Sequence, residues 1–378
     1  MKYFGLIAVI LTCLLGCLSP SKRVVTPTQT VASSMAYAKG FDLIIHDDFT
    51  EILINEPWPG STSQLRYALV GKNQSTDLEG NFDQVIEVPI NHIVVTSTTH
   101  IPALELLDVT HTLQGFPNLD YISSPKTRER VDQNLVLELG QNEALNIELL
   151  LQAKPDAIVT FAVSGAQNQL TLLQENGVPI LYNADWTETH PLGKAEWIKF
   201  FGALYDQSAR ADSIFQSITT NYLQAKEAAA RQEQRPSVLS GALYKDVWYL
   251  PAGESWAAQF IDDANGSYIY QNSKGTGSLQ LSIEEVLAAA QQTDIWIGPG
   301  QFTSYQQLEE ANQVYTLFAP FQKEEVYTFG LSVGPTGGLL YFELAAMRPD
   351  LVLRDLISIF HPALLPEHQQ VYFKPINP

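Results

Sequence analysis

The chain has 378 residues, 45% hydrophobic and 17% charged, enough for two domains that each bury a core, and this excludes disorder as the main state. Its 41 acidic and 22 basic residues leave a formal charge of -19, which repels phosphate backbones and excludes nucleic acid as the principal partner. The same balance excludes adhesion to an anionic membrane through a basic amphipathic face, so any membrane attachment must have another origin.

The chain begins Met1-Lys2, and residues 3–15 are almost wholly apolar. A short basic start and a short apolar run read as an export signal, and the run falls short of the ~20 residues that span a bilayer. It ends Leu14-Leu15-Gly16-Cys17, which resembles a bacterial lipobox, whose cysteine is diacylated and becomes the new N-terminus. Residues 1–16 are thus expected to be a signal peptide and Cys17 the lipidation site, against the plainer reading of an ordinary signal with an incidental cysteine. Thr12 before Cys13 disfavours that earlier cysteine. Removal of Cys13 with the signal leaves Cys17 as the sole cysteine, so no disulfide is expected in the body. Residues 17–40, with Ser, Thr, Pro and Gln, read as a flexible tether. The protein is expected to be exported and lipid-anchored at the cell envelope.

From 41 to 90 apolar residues alternate, as in Phe41-Leu43-Ile45, Ile52-Ile54 and Leu65-Tyr67-Leu69, with Pro57, Pro59 and Gly60 between runs, which predicts an antiparallel β arm. From 91 to 193 the pattern becomes strand, helix, glycine, strand: residues 157–161, then 167–176 closed by Gly177, then 178–182. That is the mark of βαβ units on a parallel sheet. Residues 194–235 are helix-forming, with one interruption near 202–206, and 208–231 carry Ile214, Ile218, Tyr222 and Ala225 at helical spacing. Further strands at 238–239, 294–297 and 326–329 make 236–378 a second α/β lobe. The expected fold is α/β: two pseudo-symmetric lobes joined by a long helix, preceded by the β arm.

A phrase recurs in both lobes. Leu145-Asn146-Ile147-Glu148 leads through Lys154-Pro155 to a strand entered at Asp156, and Leu281-Ser282-Ile283-Glu284 leads to a strand entered at Asp294. The first phrase, the segment Pro251-Ala252-Gly253-Glu254-Ser255-Trp256 with Asp262-Asp263-Ala264-Asn265-Gly266, and the second phrase together resemble the class III substrate-binding proteins of ABC importers, which take up iron-siderophores, haem and cobalamin. The resemblance covers residues 92–378 and says little about the arm.

The resemblance implies a monomeric binding protein that serves an ABC permease and its ATPase. It also implies that Glu148 and Glu284 meet arginines of the permease; the competing reading is that each merely complements a helix dipole, with Ser282 and Glu285 forming a capping box. The ligand, an iron complex or cobalamin, belongs in the cleft beyond the carboxyl ends of the strands. Trp256, Trp186 and Phe161 fall there and offer flat, polarisable faces, Arg128 suits a carboxylate or a negative complex, and His100 is a further candidate. Each of these aromatics has core packing as its rival reading, and Arg128 a solvated charge. No resident cofactor is expected; iron or cobalt would arrive with the ligand.

Two other chemistries have sequence support. Gly330-Leu331-Ser332-Val333-Gly334 matches the nucleophile elbow of an exported α/β hydrolase, with Asp350 or Asp355 and His361 or His368 after it, but 334–338 delay the helix that an elbow requires. The seven histidines lack local metal-ligand spacing, so a bare-metal receptor would need convergence of distant loops, with His100 and His190 the residues to watch.

Overall fold

The computed structural model describes residues 31–33, 35–74, 76, 78, 80–165 and 168–378. The expected signal peptide and Cys17 lie outside the described residues.

The expected tether, 17–40, has an ordered end. Val31–Ser33 pairs antiparallel with Phe41–Ile45. Between them, buried Glu196 accepts the backbone N–H groups of Ala36, Tyr37 and Ala38, and buried Glu188 accepts those of Lys39 and Gly40. These acceptors lie far along the chain, so nothing in the local composition of 31–40 announces them.

Five strands form the arm, in the order Val31–Ser33, Phe41–Ile45, Phe49–Ile54, Leu65–Gly71, Gln84–Val88. The sheet is mixed where the sequence predicts an antiparallel one, because Leu65–Gly71 and Gln84–Val88 pair in parallel. The connection 72–83 is long enough to return the chain to the same end of the sheet, which a tight hairpin is not. One face, with Phe41, Ile52, Ile54, Tyr67 and Leu69, is buried in the main core. Tyr67 Oη also accepts the backbone N–H of Tyr182, which ties the arm to the first lobe.

The first lobe is a five-stranded parallel sheet ordered Ile180–Tyr182, Ala157–Thr160, Ile93–Val95, Leu113–Phe116, Leu137–Glu138. Alternate residues bury on opposite faces: Ile93, Val95, Ala157 and Val159 in the main core, Val94, Ile158 and Ile180 in a second cluster. Burial of both faces explains the nearly continuous apolar runs.

The second lobe orders Ser267–Tyr268, Ser237–Ser240, Ile295–Ile297, Val326–Thr328, Lys374–Pro375, parallel except for the last strand. A separate antiparallel sheet of Ala242–Tyr244, Val247–Pro251 and Ser278–Leu281 stands at its carboxyl end.

Between the lobes run Pro191–Glu196, Ile198–Leu204 and the 23-residue helix Ser208–Ala230. At 1.5 Å per residue the last is about 34 Å long. Ala211, Phe215, Ile218 and Tyr222 make its buried stripe, which packs on the helix Pro349–Phe360. Tyr222 Oη and Lys226 Nζ both reach the buried carboxylate of Asp263, so the helix is joined to the second lobe by polar as well as apolar contacts.

Candidate ligand-binding site

In an open α/β sheet, ligands collect where the strand order reverses, because two adjacent connections then leave the sheet's carboxyl end in opposite directions and part. In the second lobe that point lies between Ser237–Ser240 and Ile295–Ile297. After the first strand Gly241 adopts φ +80°, and a Cβ there would lie 1.9 Å from Tyr249 O, so only glycine makes this turn. Two indoles hold the turn: Trp248 Nε1 donates to Ser240 O at 3.0 Å and Trp296 Nε1 to Gly241 O at 2.8 Å. Beyond it opens a chamber of about 970 Å³, roofed by the antiparallel sheet.

One wall of the chamber is a stack of rings. Ser255 caps the helix Trp256–Asp263 by accepting from Ala258 N, which sets Trp256 as its first residue. Trp256 stacks on Tyr341 at 6.0 Å, and Tyr341 on Phe329 at 5.0 Å and 8°. Phe342, 54% exposed, meets Phe329 edge-on, and Tyr249 faces in from the roof. No residue that lines the chamber is acidic, basic or a histidine.

Across the Trp256–Tyr341 wall lies a second cavity of about 230 Å³, lined from both lobes and the linker by Thr99, Asp185, Trp186, Lys194 and the other sides of Trp256 and Tyr341. Lys194 is 8% exposed; its Nζ donates to the carbonyls of Asp185 and Trp186 and stands 5.4 Å from the Trp256 ring centre. Burial pushes its pKa down, and the charges of Asp185 and Glu188 oppose that shift.

The lobes touch beside this cavity. Glu343, 2% exposed, accepts the backbone N–H groups of Ser123 at 2.6 Å and Ser124 at 3.0 Å. Its neighbour Glu105 accepts the hydroxyls of Ser124 and Thr127. Burial pushes the Glu343 carboxyl up to about 7; the two N–H groups oppose the shift and the charge of Glu105 adds to it. Gly334 lies so close to Ser123 that a Cβ would meet its carbonyl oxygen at 2.1 Å.

Of the residues singled out from sequence, the structure brings Trp256 and Trp186 to cavity walls. Phe161 is half-buried at the end of its strand and lines neither cavity. Arg128 also lies outside them, held by Leu119 O at 2.8 Å, Asp132 at 3.2 Å and Asp120 at 3.9 Å. His100 is fully buried, its ring 5.8 Å from that of Phe201, with neither nitrogen hydrogen-bonded and its pKa pushed down by burial. His190 accepts Leu192 N through Nδ1 at a helix start, and no group of three metal-ligating side chains occurs among the described residues. Ser332 is 2% exposed, and its hydroxyl donates to the carbonyls of Val371 and Tyr372. The imidazole of His368 bonds instead to Asp355.

Sequence reasoning missed Tyr341, Phe329, Tyr249 and Lys194. A signal existed for Phe329, which directly follows a strand; the others depend on packing between distant segments.

Glu148 and Glu284 are exposed in the first turns of Ile147–Ala153 and Ile283–Ala290. Each helix leads by a short connection into a parallel strand, so its N-terminus lies at the carboxyl end of its sheet. Capping is done by others: Asn146 accepts from Leu149 N, and Ser282 with Glu285 forms a complete capping box. Neither Glu148 nor Glu284 has a side-chain hydrogen bond or ion pair among the described residues.

The comparisons agree with this architecture. An uncharacterized lipoprotein of Methanocaldococcus jannaschii is 22% identical over 408 residues, spanning 99% of this chain and 95% of the relative. The periplasmic heme binding protein of Vibrio cholerae superposes with a TM-score of 0.55 at 17% identity, covering 70% of this chain and 99% of that one. The periplasmic vitamin B12 binding protein of the same species gives 0.52 at 15%, covering 73% and 98%. These structural likenesses establish the fold. The sequence model of the family described as periplasmic binding protein matches residues 93–330, and the chain belongs to that family.

Proposed function

We propose that this protein captures an iron complex or a corrinoid and delivers it to an ABC permease, whose ATPase supplies the energy, with no chemistry of its own. The observation that carries this reading is the aromatic chamber of about 970 Å³ at the switch point of the second lobe. Its volume is at the upper end of small-molecule sites, and stacked rings suit a broad, flat, polarisable ligand. Trp256 contacts that ligand, and Trp186 lies at the mouth of the smaller cavity. Glu148 and Glu284 dock the permease, and Cys17 carries the lipid that holds the protein at the envelope, a reading supported by the lipoprotein relative.

The test is the absorbance spectrum and mass of whatever copurifies with the exported protein, followed by titration of the stripped protein. A coloured metal complex, retained without turnover, supports the reading. A colourless ligand that is consumed would favour hydrolysis and overturn it.

A further inference from the structure

We infer that the ligand is held chiefly within the second lobe and that the surface it buries there is uncharged. This deepens the binding-protein reading and rests on it. The chamber is lined by aromatic, aliphatic and neutral polar groups, with Ser240, Thr276 and Gln301 among the hydrogen-bonding side chains. An anionic group carried inside would lose its hydration and find no cation, and the net charge of -19 repels it on approach.

Of the neighbouring cations, Lys245 stays at the exposed rim with its Nζ 5.5 Å from the ring centre of Tyr244, Lys274 pairs with Glu254 at 3.0 Å, and two more are committed elsewhere. Lys194 is on the far side of the Trp256–Tyr341 wall with two carbonyls as acceptors and Asp185 and Glu188 nearby. Arg128 is engaged by Leu119, Asp120 and Asp132. The first lobe's own switch point is closed by protein: the hydroxyls of Thr96 and Thr160 bond at 2.8 Å across it, and Asn142 Nδ2 donates to Thr96 O. One lobe thus supplies the chamber, and the other lies against its wall.

The test uses three coloured probes on the stripped full-length protein: cyanocobalamin, whose ring carries neutral amide arms, haemin with two propionates, and a trianionic ferric tris-catecholate. The uncharged probe is expected to bind at least about ten-fold tighter than either anion, a gap of about 1.4 kcal/mol. Two variants locate the effect. Gly277, an exposed residue of the chamber lining, has nothing within 4 Å of where a Cβ would be, so Gly277→Trp adds bulk at the chamber wall without a clash at its Cβ and should abolish binding while the melt is kept. Gln301→Lys places a cation at the exposed mouth and should narrow the preference toward the anions. An anion that binds wild type as tightly as the uncharged probe overturns this inference and leaves the importer reading standing. Uncharged-probe binding that survives Gly277→Trp overturns the chamber assignment. Failure of all three probes at submillimolar concentration overturns the inference and the metal-complex reading with it.

Discussion

At Glu343 one buried carboxylate accepts two hydrogen bonds across the contact between lobes. Its pKa rises from an ordinary 4.5 to about 7 in the fold, so between those values the folded state holds a proton that the unfolded chain has released. Its contribution to stability is therefore fully present below pH 4.5 and lost as pH rises through about 7, by at most about 1.4 kcal/mol per pH unit. Glu343→Gln removes that titration. Its amide offers one acceptor to two N–H donors, leaving one buried donor unpaired at a cost of about 1 to 3 kcal/mol. Urea titrations should show the variant less stable at pH 5 with the gap narrowing by pH 8; a constant gap would mean that Glu343 does not titrate in this window. His190 and His361, pushed down by burial, act in the opposite sense but are common to both proteins and cancel in the difference. Trp256 is the other decisive residue. Trp256→Ala leaves Ser255 in place as cap and should weaken ligand binding by about 2 kcal/mol, since a ring that is both stack and wall is the usual form of a hot spot. Full affinity in the variant, measured by titration, would return Trp256 to a packing role.

Elements with a strong local period were legible from sequence: the buried strands Ala157–Thr160 and Ile295–Ile297, and the stripe of Ser208–Ala230. Elements defined by distant partners were not. The strand Val31–Ser33 depends on Phe41–Ile45, and the segment after it on two carboxylates near residue 190. The chamber roof was missed for a similar reason, because Val247–Pro251 pairs with Ser278–Leu281 across a helix. The ring stack joins helices and a strand end from Trp256 to Tyr341, a juxtaposition that no local window contains. Trp256 and Trp186 were singled out as aromatics after recognisable segments and line cavities, whereas Tyr341 and Tyr249 reach the chamber only through such packing. Glu196 tests how far such an element depends on its acceptor. Besides three backbone N–H groups it meets Lys199 Nζ at 3.0 Å, so Glu196→Ala strands several partners at once. The expected loss is about 3 kcal/mol or more in unfolding free energy, with faster amide exchange at residues 36–38. Unchanged exchange there would show that the strand pairing alone holds the segment.

At the scale of the whole molecule, the proposed function asks one end to meet a membrane partner while the chamber keeps its ligand. The attachment is testable first: two acyl chains at about 0.8 kcal/mol per buried methylene anchor a protein durably, so Cys17→Ser should move it from the membrane to the soluble fraction, and continued sedimentation with membranes would refute the anchor. Docking is the deeper question. The repeated phrase that exposed Glu148 and Glu284 in the sequence left the helix dipole as a rival role for both, which their first-turn places still allow, whereas side-chain capping is done by Asn146 and by Ser282 with Glu285. What remains is a pair of solvent-facing carboxylates at corresponding places on two lobes, a spacing that a two-sided permease can read only if the lobes hold their relative position, which the Glu343 contact favours. If each carboxylate meets a basic side chain that is desolvated on docking, loss of one costs about 2 to 5 kcal/mol of association, and reversal of charge costs more. Folding should respond far less, by about 0.3 to 1 kcal/mol for each exposed first-turn glutamate. The double variant Glu148→Lys, Glu284→Lys is therefore expected to bind ligand as wild type does and to melt within a few degrees of it, yet to fail in uptake by the reconstituted transporter. Undiminished uptake would leave both glutamates without a docking role, and lost ligand binding would place them at the chamber instead.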